Sequence, residues 1–108
     1  MLRESDVEEG ETYLLLRGDS TLGSVIVQDA LCDFPWYGGR FEARAEFAAV
    51  ADLFRAELTL LEEDSMGPWE AVWAQIEEPG LKLVQIDGGE PVVNLIIHIE
   101  GTTARWRF

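Results

Sequence analysis

The pattern of hydrophobic and polar positions predicts strands near both ends of the chain and helices between them. A nearly continuous apolar run at residues 13–17 predicts a first strand, and residues 24–34 predict a second strand with imperfect alternation. Residues 18–23 separate these runs and are rich in glycine, serine and aspartate, which are common in turns. The first two strands are therefore expected to form a β-hairpin.

Apolar residues in the middle of the chain recur at helical spacing. The first set predicts an amphipathic helix close to residues 43–62 and comprises Phe47, Val50, Ala51, Phe54, Leu58 and Leu61. The charged residues between them, including Glu57, are assigned to the other, solvent-facing sides of this helix. A second helix is predicted to begin at Gly67-Pro68 and to stop at Pro79-Gly80. Its apolar side comprises Trp69, Val72, Trp73 and Ile76.

The last third of the chain predicts three strands, at residues 81–87, 91–100 and 103–108. Gly101-Thr102, read as a two-residue turn, sets the register of the final hairpin. The predicted pairs are Ile99 with Ala104, Ile97 with Trp106, Leu95 with Phe108, His98 with Arg105, and Ile96 with Arg107. This register puts the aromatic residues on one side and both arginines on the other, as a single buried face requires.

Together these elements predict an α+β fold with two layers. A mostly antiparallel sheet of about five strands (ββααβββ) carries two helices on one face. Residues 12–108 form the single domain, and residues 1–11 form an acidic N-terminal arm. Strand residues such as Leu14, Leu16, Val92 and Ile96 add apolar side chains to the second sheet face, beyond the number that one buried face needs. We therefore expect a second copy, the arm or a partner protein to cover part of that face.

The net charge of −13, from 21 acids and 8 bases, is the strongest signal in the composition. It disfavours direct binding to nucleic acids or anionic membranes, whose phosphates it would repel. Two explanations for it stay open, namely solubility and selection for a basic partner. A single cysteine, no membrane-length apolar stretch and no signal-peptide pattern at the start predict a cytoplasmic protein.

The scarcity of histidine and cysteine limits the chemistry that the chain can support. One residue of each type cannot supply a four-ligand zinc site, and the serines lie in predicted turns or in the arm. Cys32 lies among strand residues and is assigned a structural role. No glycine-rich phosphate-binding motif is present. No catalytic residue, metal ligand or cofactor is therefore predicted.

His98 and Glu100 project from the same side of their predicted strand, and Arg105 faces His98. A carboxylate-rich metal site is one interpretation of this group. A solvated surface cluster is the interpretation that we favour, because Arg105 would repel a cation and no third ligand is evident.

The aromatic corner, residues 32–41, holds Phe34, Trp36, Tyr37 and Phe41 together with Pro35 and Gly38-Gly39. We expect Phe34 and Phe41 to fill the interface between sheet and helices, and the two glycines to adopt positive φ. Trp36 and Tyr37 point in opposite directions along an extended chain, so both are not expected to be fully buried. With Arg40 beside them, they are candidate binding residues, because Trp, Tyr and Arg are enriched at interaction hot spots.

Several segments resemble a group of small uncharacterised bacterial proteins. They are residues 33–41, Phe47 with Leu53-Phe54, Trp69-Glu70-Ala71, residues 80–83, and residues 97–101 followed by Trp106. The resemblance spans most of the chain. It implies no activity and supplies no catalytic residues.

Two functional hypotheses follow from the sequence. The first is a small acidic, non-enzymatic protein-interaction module of an antitoxin or immunity type, or one that self-associates as a homodimer, contacting through the uncovered sheet face or the aromatic corner. The alternative is a small-molecule-binding protein or enzyme. Its pocket would involve Trp36, Tyr37, Arg40 and His98, with Arg105 beside them.

Overall fold

The computed structural model describes residues 9–108 as a six-stranded antiparallel sheet with two α-helices. The strands are β1 (Thr12–Arg17), β2 (Ser20–Val27), β3 (Tyr37–Ala43), β4 (Leu81–Gln85), β5 (Ile96–Glu100) and β6 (Thr103–Arg107). The helices are α1 (Ala51–Glu62) and α2 (Met66–Glu77), and short 3-10 turns at Asp29–Leu31 and Ala45–Ala49 precede β3 and α1. The predicted α+β class is confirmed, with one strand more than expected.

The predicted N-terminal arm falls largely on residues 1–8, which lie outside the described residues. The rest of the arm is hydrogen-bonded to the end of β2. The N–H of Gly10 donates to the carbonyl of Val27, and the N–H of Val27 donates to the carbonyl of Glu11. The residues just before β1 therefore extend its pairing with β2.

The sheet has the strand order β4-β1-β2-β3-β6-β5 and is curled. The short connection between its two edge strands shows this. Val92 forms an isolated bridge with Leu83 of β4 at one edge, yet Ile96 already begins β5 at the other edge. Four extended residues reach at most about 14 Å. A flat sheet would separate its first and sixth strands by roughly 24 Å. The two edges therefore lie much closer together than in a flat sheet.

The hairpin of β5 and β6 has the predicted register. Ile99 pairs with Ala104, Ile97 with Trp106, His98 with Arg105, and Ile96 with Arg107. Ile97, Ala104 and Trp106 are buried, as one covered face requires. The predicted pair of Leu95 with Phe108 is not observed, and Phe108 is exposed, so the predicted apolar side does not extend to the end of the hairpin.

The hydrophobic core lies on one face of the curled sheet. Each strand contributes the residues at alternate positions of the observed register. The strand residues are Tyr13, Leu15, Val25, Val27, Phe41, Leu81, Leu83, Ile97, Ile99, Ala104 and Trp106, together with Leu22, which lies at the register shift between β1 and β2. From the helical layer, Val50, Phe54, Trp73 and Ile76 complete the core. The predicted helical stripes therefore face the sheet, with Leu58 and Leu61 half-buried at their margin.

β3 is the strand that the sequence analysis missed. The predicted helix at residues 43–62 is also shorter than expected, because residue 43 ends β3 and α1 begins only at Ala51. Gly38 and Gly39 were predicted to adopt positive φ, and neither does. A Cβ on Gly38 would instead overlap the backbone of Leu31, and one on Gly39 would overlap the carbonyl of Ile26. Both glycines are needed for close approach of neighbouring backbone.

The end of α2 is anchored to the sheet by Arg17 of β1. The last four carbonyls of a helix have no partner within it. Here, the guanidinium of Arg17 donates to the carbonyls of Gln75 and Ile76 at 2.8 and 2.9 Å. Backbone N–H groups of Glu78 and Gly80 donate to the other two, those of Ala74 and Glu77. All four terminal carbonyls are therefore satisfied.

Neither helix within residues 9–108 has the length and apolar character needed to cross a bilayer.

Candidate functional site

The first part of the aromatic corner, residues 32–36, forms a loop that folds over the outer face of the sheet, the face opposite the core, and the rest belongs to β3. Asp33 and Trp36 exchange two backbone hydrogen bonds around the cis Phe34–Pro35 peptide. Phe34 lies at the tip of this turn, and 94% of its surface is exposed. The expectation that Phe34 fills the interface between sheet and helices is wrong, whereas Phe41 is buried as expected.

Trp36 and Tyr37 point to opposite sides, as alternation along an extended chain requires. Tyr37 pairs with Trp106 and stacks on Phe108, with ring centroids 5.5 Å apart. Trp36 instead lies over the outer face, where its ring is 5.2 Å from that of His98. The guanidinium carbon of Arg107 is 5.7 Å from the centre of the Trp36 ring, a cation–π distance. Neither aromatic ring is fully buried.

The loop is held against the outer face by contacts with Gly38. Leu31 packs so closely on Gly38 that only a glycine fits there. The Sγ atom of Cys32 accepts a hydrogen bond from the N–H of Gly38 at 3.4 Å. Cys32 thus links the loop to β3.

Glu57 of α1 is the buried charged residue of the described chain, with none of its surface exposed. It was predicted to face solvent, and that prediction is wrong. The indole N–H of Trp69 donates to its Oε1 at 2.7 Å. Nδ1 of His98 lies 2.8 Å from its Oε2. The carboxylate therefore joins α1, α2 and β5, and each of its oxygens has a partner.

The helical spacing contained a signal for Glu57. Residues 50, 54, 57 and 61 are spaced at i, i+4, i+7 and i+11, which is helical spacing like that of the apolar stripe. Position 57 therefore lies on the buried side of the helix. The charge of Glu57 directed the assignment towards solvent instead. His98, its partner, is 41 residues away in sequence and could not be found by local spacing.

His98 was predicted to belong to a solvated cluster with Glu100 and Arg105, and its surroundings are different. Only 18% of its side chain is exposed, and its carboxylate partner is Glu57. Phe54 packs in the core with Ile97 and Ile99 of β5, whereas Glu57 reaches His98 on the other side of the same strand. Helix α1 therefore lies against the edge of the sheet at β5 and touches both of its sides.

A cleft of about 440 Å³ opens beside His98 on the outer face. Its floor consists of side chains from β5 and β6, and its two walls come from the loop and from α1. We call it the His98 cleft. The residues that line it are Leu31, Leu58, His98, Glu100, Thr103 and Arg105. The cleft therefore combines polar groups on its floor with apolar walls, as small-molecule sites do.

The predicted binding residues fall into two groups. Trp36, His98 and Arg105 come together over the outer face of β5 and β6. Tyr37 lies on the other side of the sheet, and the guanidinium of Arg40 pairs with Glu42 at 2.7 Å outside the cleft. Within residues 9–108, no three histidine, cysteine or acidic side chains converge as metal ligands would.

The fold and this site define a small α+β protein with a polar cleft on the outer face of a curled antiparallel sheet. Comparison with known proteins yields no match among protein-family models, curated proteins or solved structures.

Proposed function

We propose that this chain is a small acidic, non-enzymatic interaction module that binds a partner protein through its aromatic loop. The contact region, which we call the corner surface, lies at the end of the sheet where β3 begins and β6 ends. It comprises Phe34, Trp36 and Arg107 on the outer side, and Tyr37 and Phe108 on the other side of the same end. The observation that carries the proposal is the exposure of Phe34, 94% of whose surface contacts solvent at the tip of a backbone-bonded turn. Contiguous exposed apolar patches on a well-packed fold are typical of interaction surfaces, and Phe34 is the most exposed large apolar residue of the described chain.

The other members of the corner surface support this function. Phe108 is 60% exposed and stacks on Tyr37, so the two rings present a continuous apolar area. Trp36 contacts both His98 and Arg107 and is therefore already ordered before a partner binds. Pre-ordered aromatic side chains bind with a small loss of conformational entropy. Trp, Tyr and Arg are also the residues that most often dominate binding energy.

The charges beside Trp36 on the outer face of the sheet indicate the chemistry of the partner. Arg107 and its neighbour Arg105 have no carboxylate within ion-pair distance among residues 9–108, although the chain carries a net charge of −13. A local cationic region next to exposed aromatic rings suits a protein segment that carries acidic and apolar side chains. The acidity of the rest of the surface supports a protein partner over nucleic acid or an anionic membrane. The single cysteine supports a cytoplasmic location.

A random peptide library displayed on phage tests the chemistry of the partner directly. The full chain is immobilised, and enriched peptides are measured again by calorimetry against purified variants. We expect the enriched peptides to combine acidic with aromatic or aliphatic residues. Phe34→Ser and Arg107→Gln should each weaken their binding by about tenfold or more, the effect of losing roughly 1.4 kcal/mol at a hot spot.

Arg44→Gln is the matched control, because Arg44 is exposed and lies just beyond the far end of β3. It removes the same charge and should leave peptide binding unchanged. Sedimentation velocity of the free chain is run in parallel. Self-association that Phe34→Ser abolishes would replace the partner protein with a second copy of the chain. A monomer with no enriched peptide would reject the proposal.

A further inference from the structure

We propose that the His98 cleft binds a small molecule through an oxyanion group, a carboxylate or a phosphate. The cleft lies next to the corner surface, because the Trp36 ring is 5.2 Å from that of His98, but no residue of its lining belongs to the corner surface. The inference does not depend on the function proposed above. Arg105 would bind the oxyanion, and His98 lies beside it.

The buried carboxylate of Glu57 fixes the orientation of the His98 ring. A carboxylate can only accept hydrogen bonds, so Trp69 and Nδ1–H of His98 are both donors to it. Turning the ring would leave a fully buried oxygen of Glu57 without a partner, which is costly. Nε2 therefore points away from Glu57. It has no hydrogen-bond partner among residues 9–108.

Arg105 supplies the binding group. It is the direct cross-strand partner of His98 on the outer face, and both residues line the cleft. Its exposed guanidinium has no ion pair within the described part of the chain. A guanidinium offers two parallel N–H donors to a carboxylate or phosphate. Nε2 of His98 borders the same space, so a ligand bound by Arg105 lies next to the imidazole ring.

The remaining lining residues fit a compact ligand. Leu31 and Leu58 supply apolar lining from the loop and from α1, and the hydroxyl of Thr103 adds a donor or acceptor. Glu100 is the acidic residue of the lining; its side chain is exposed, and its backbone is opposite that of Thr103 in the hairpin. The volume of about 440 Å³ suits a molecule of metabolite size.

The net charge of −13 opposes anions at long range, but the local groups decide the chemistry of the cleft. Charges farther than about 8 Å are largely screened at physiological salt. Within that range the guanidinium of Arg105 disfavours a cation, the exposed carboxylate of Glu100 opposes an anion, and the charge of Glu57 is already engaged by His98 and Trp69. An oxyanion is the ligand group that pairs with the N–H donors of Arg105, which are left free.

The experiment uses His98 itself as the probe. Because the chain contains one histidine, the imidazole ¹⁵N resonances in a long-range NMR spectrum belong to His98 alone. The full-length chain is titrated with inorganic phosphate, with succinate and with chloride at constant pH and ionic strength. We expect the Nε2 resonance to shift saturably with phosphate or succinate and not with chloride. The stronger response of the two identifies the oxyanion.

Matched arginine variants locate the site. Arg105→Gln should weaken binding by about tenfold, since it removes the bidentate donor. Arg44→Gln removes the same charge elsewhere and should leave the titration unchanged. Phe34→Ser should also leave it unchanged, which separates this site from the corner surface. Absence of a saturable shift with either oxyanion, or an equal response in Arg105→Gln, would overturn the proposal.

Discussion

Glu57 of α1 and His98 of β5 form a hydrogen bond of 2.8 Å between Oε2 and Nδ1, and Glu57 has no exposed surface. Trp69 of α2 occupies the other oxygen of the same carboxylate. A buried carboxylate is stable only where its oxygens are paired. The arrangement therefore links both helices to an edge strand through one polar group, and it fixes the ring that borders the cleft.

Replacing Glu57 with alanine should lower the free energy of unfolding by about 3 kcal/mol or more, because breaking a buried pair leaves donors without acceptors. Trp69 and His98 would both lose their partner. Urea unfolding measures this loss as a lower midpoint with an unchanged slope. Glu62→Ala is the control, since Glu62 is an exposed residue on the same helix, and its unfolding midpoint should stay close to that of the wild type.

A double-mutant cycle measures the interaction energy between Glu57 and His98 separately from the contacts that each makes with other residues. Glu57→Leu and His98→Leu are measured singly and together, and the double variant should lose less stability than the sum of the two single variants. The expected coupling is roughly 1–3 kcal/mol, because contacting residues in one network are not additive. Additive losses would show that the hydrogen bond between Glu57 and His98 does not stabilise the fold.

Arg17→Met should destabilise the protein by about 1.5–3 kcal/mol, the range for hydrogen bonds that involve a charged group. The substitution keeps an apolar stem but leaves the carbonyls of Gln75 and Ile76 without donors at the end of α2. Chemical unfolding gives the magnitude, and amide hydrogen exchange in the last turn of α2 gives the location. Arg44→Met, which removes an exposed arginine, should change neither quantity. Faster exchange confined to β1 would contradict the assigned role of Arg17.

Gly38→Ala should destabilise the fold strongly, whereas Gly67→Ala should not. A Cβ at position 38 would overlap Leu31, so the loop would have to leave the outer face. A Cβ at position 67 meets nothing within 4 Å, and Gly67 is helical without a positive φ, so alanine there should stabilise by about 0.4–1 kcal/mol through the unfolded state. Thermal unfolding of the two variants tests the pair. Equal stability would mean that the loop can move away from β3 without cost.

The parts of the fold that local pattern determines were predicted well. The register of β5 and β6 follows from a two-residue turn and from alternation over ten neighbouring residues, and four of the five predicted pairs are observed. Apolar spacing likewise identified both helices, because their buried stripes are contained within each segment.

The errors arose where distant contacts override local signals. Gly38 and Gly39 were interpreted as turn residues, yet they belong to β3 because Leu31 and Ile26 approach the backbone closely. Glu57 was assigned to solvent by its charge, although its position on the helix is buried. Its partners, Trp69 and His98, lie 12 and 41 residues away, and no spacing rule connects them. The candidate site depends on these contacts. The sequence therefore indicated some of its residues, such as His98 and Arg105, but not how they are arranged.

The two phenylalanines of the aromatic corner should differ sharply in their effect on stability. Phe41→Ala removes a side chain with 1% exposure from the core and should cost about 3–5 kcal/mol, as large-to-small core substitutions do. Phe34→Ala removes a side chain with 94% exposure, and its unfolding free energy should stay within about 0.5 kcal/mol of the wild type. Urea unfolding of the two variants under identical conditions measures the difference. A comparable loss in both would show that the tip of the loop packs against the protein, and Phe34 would then be unavailable to a partner.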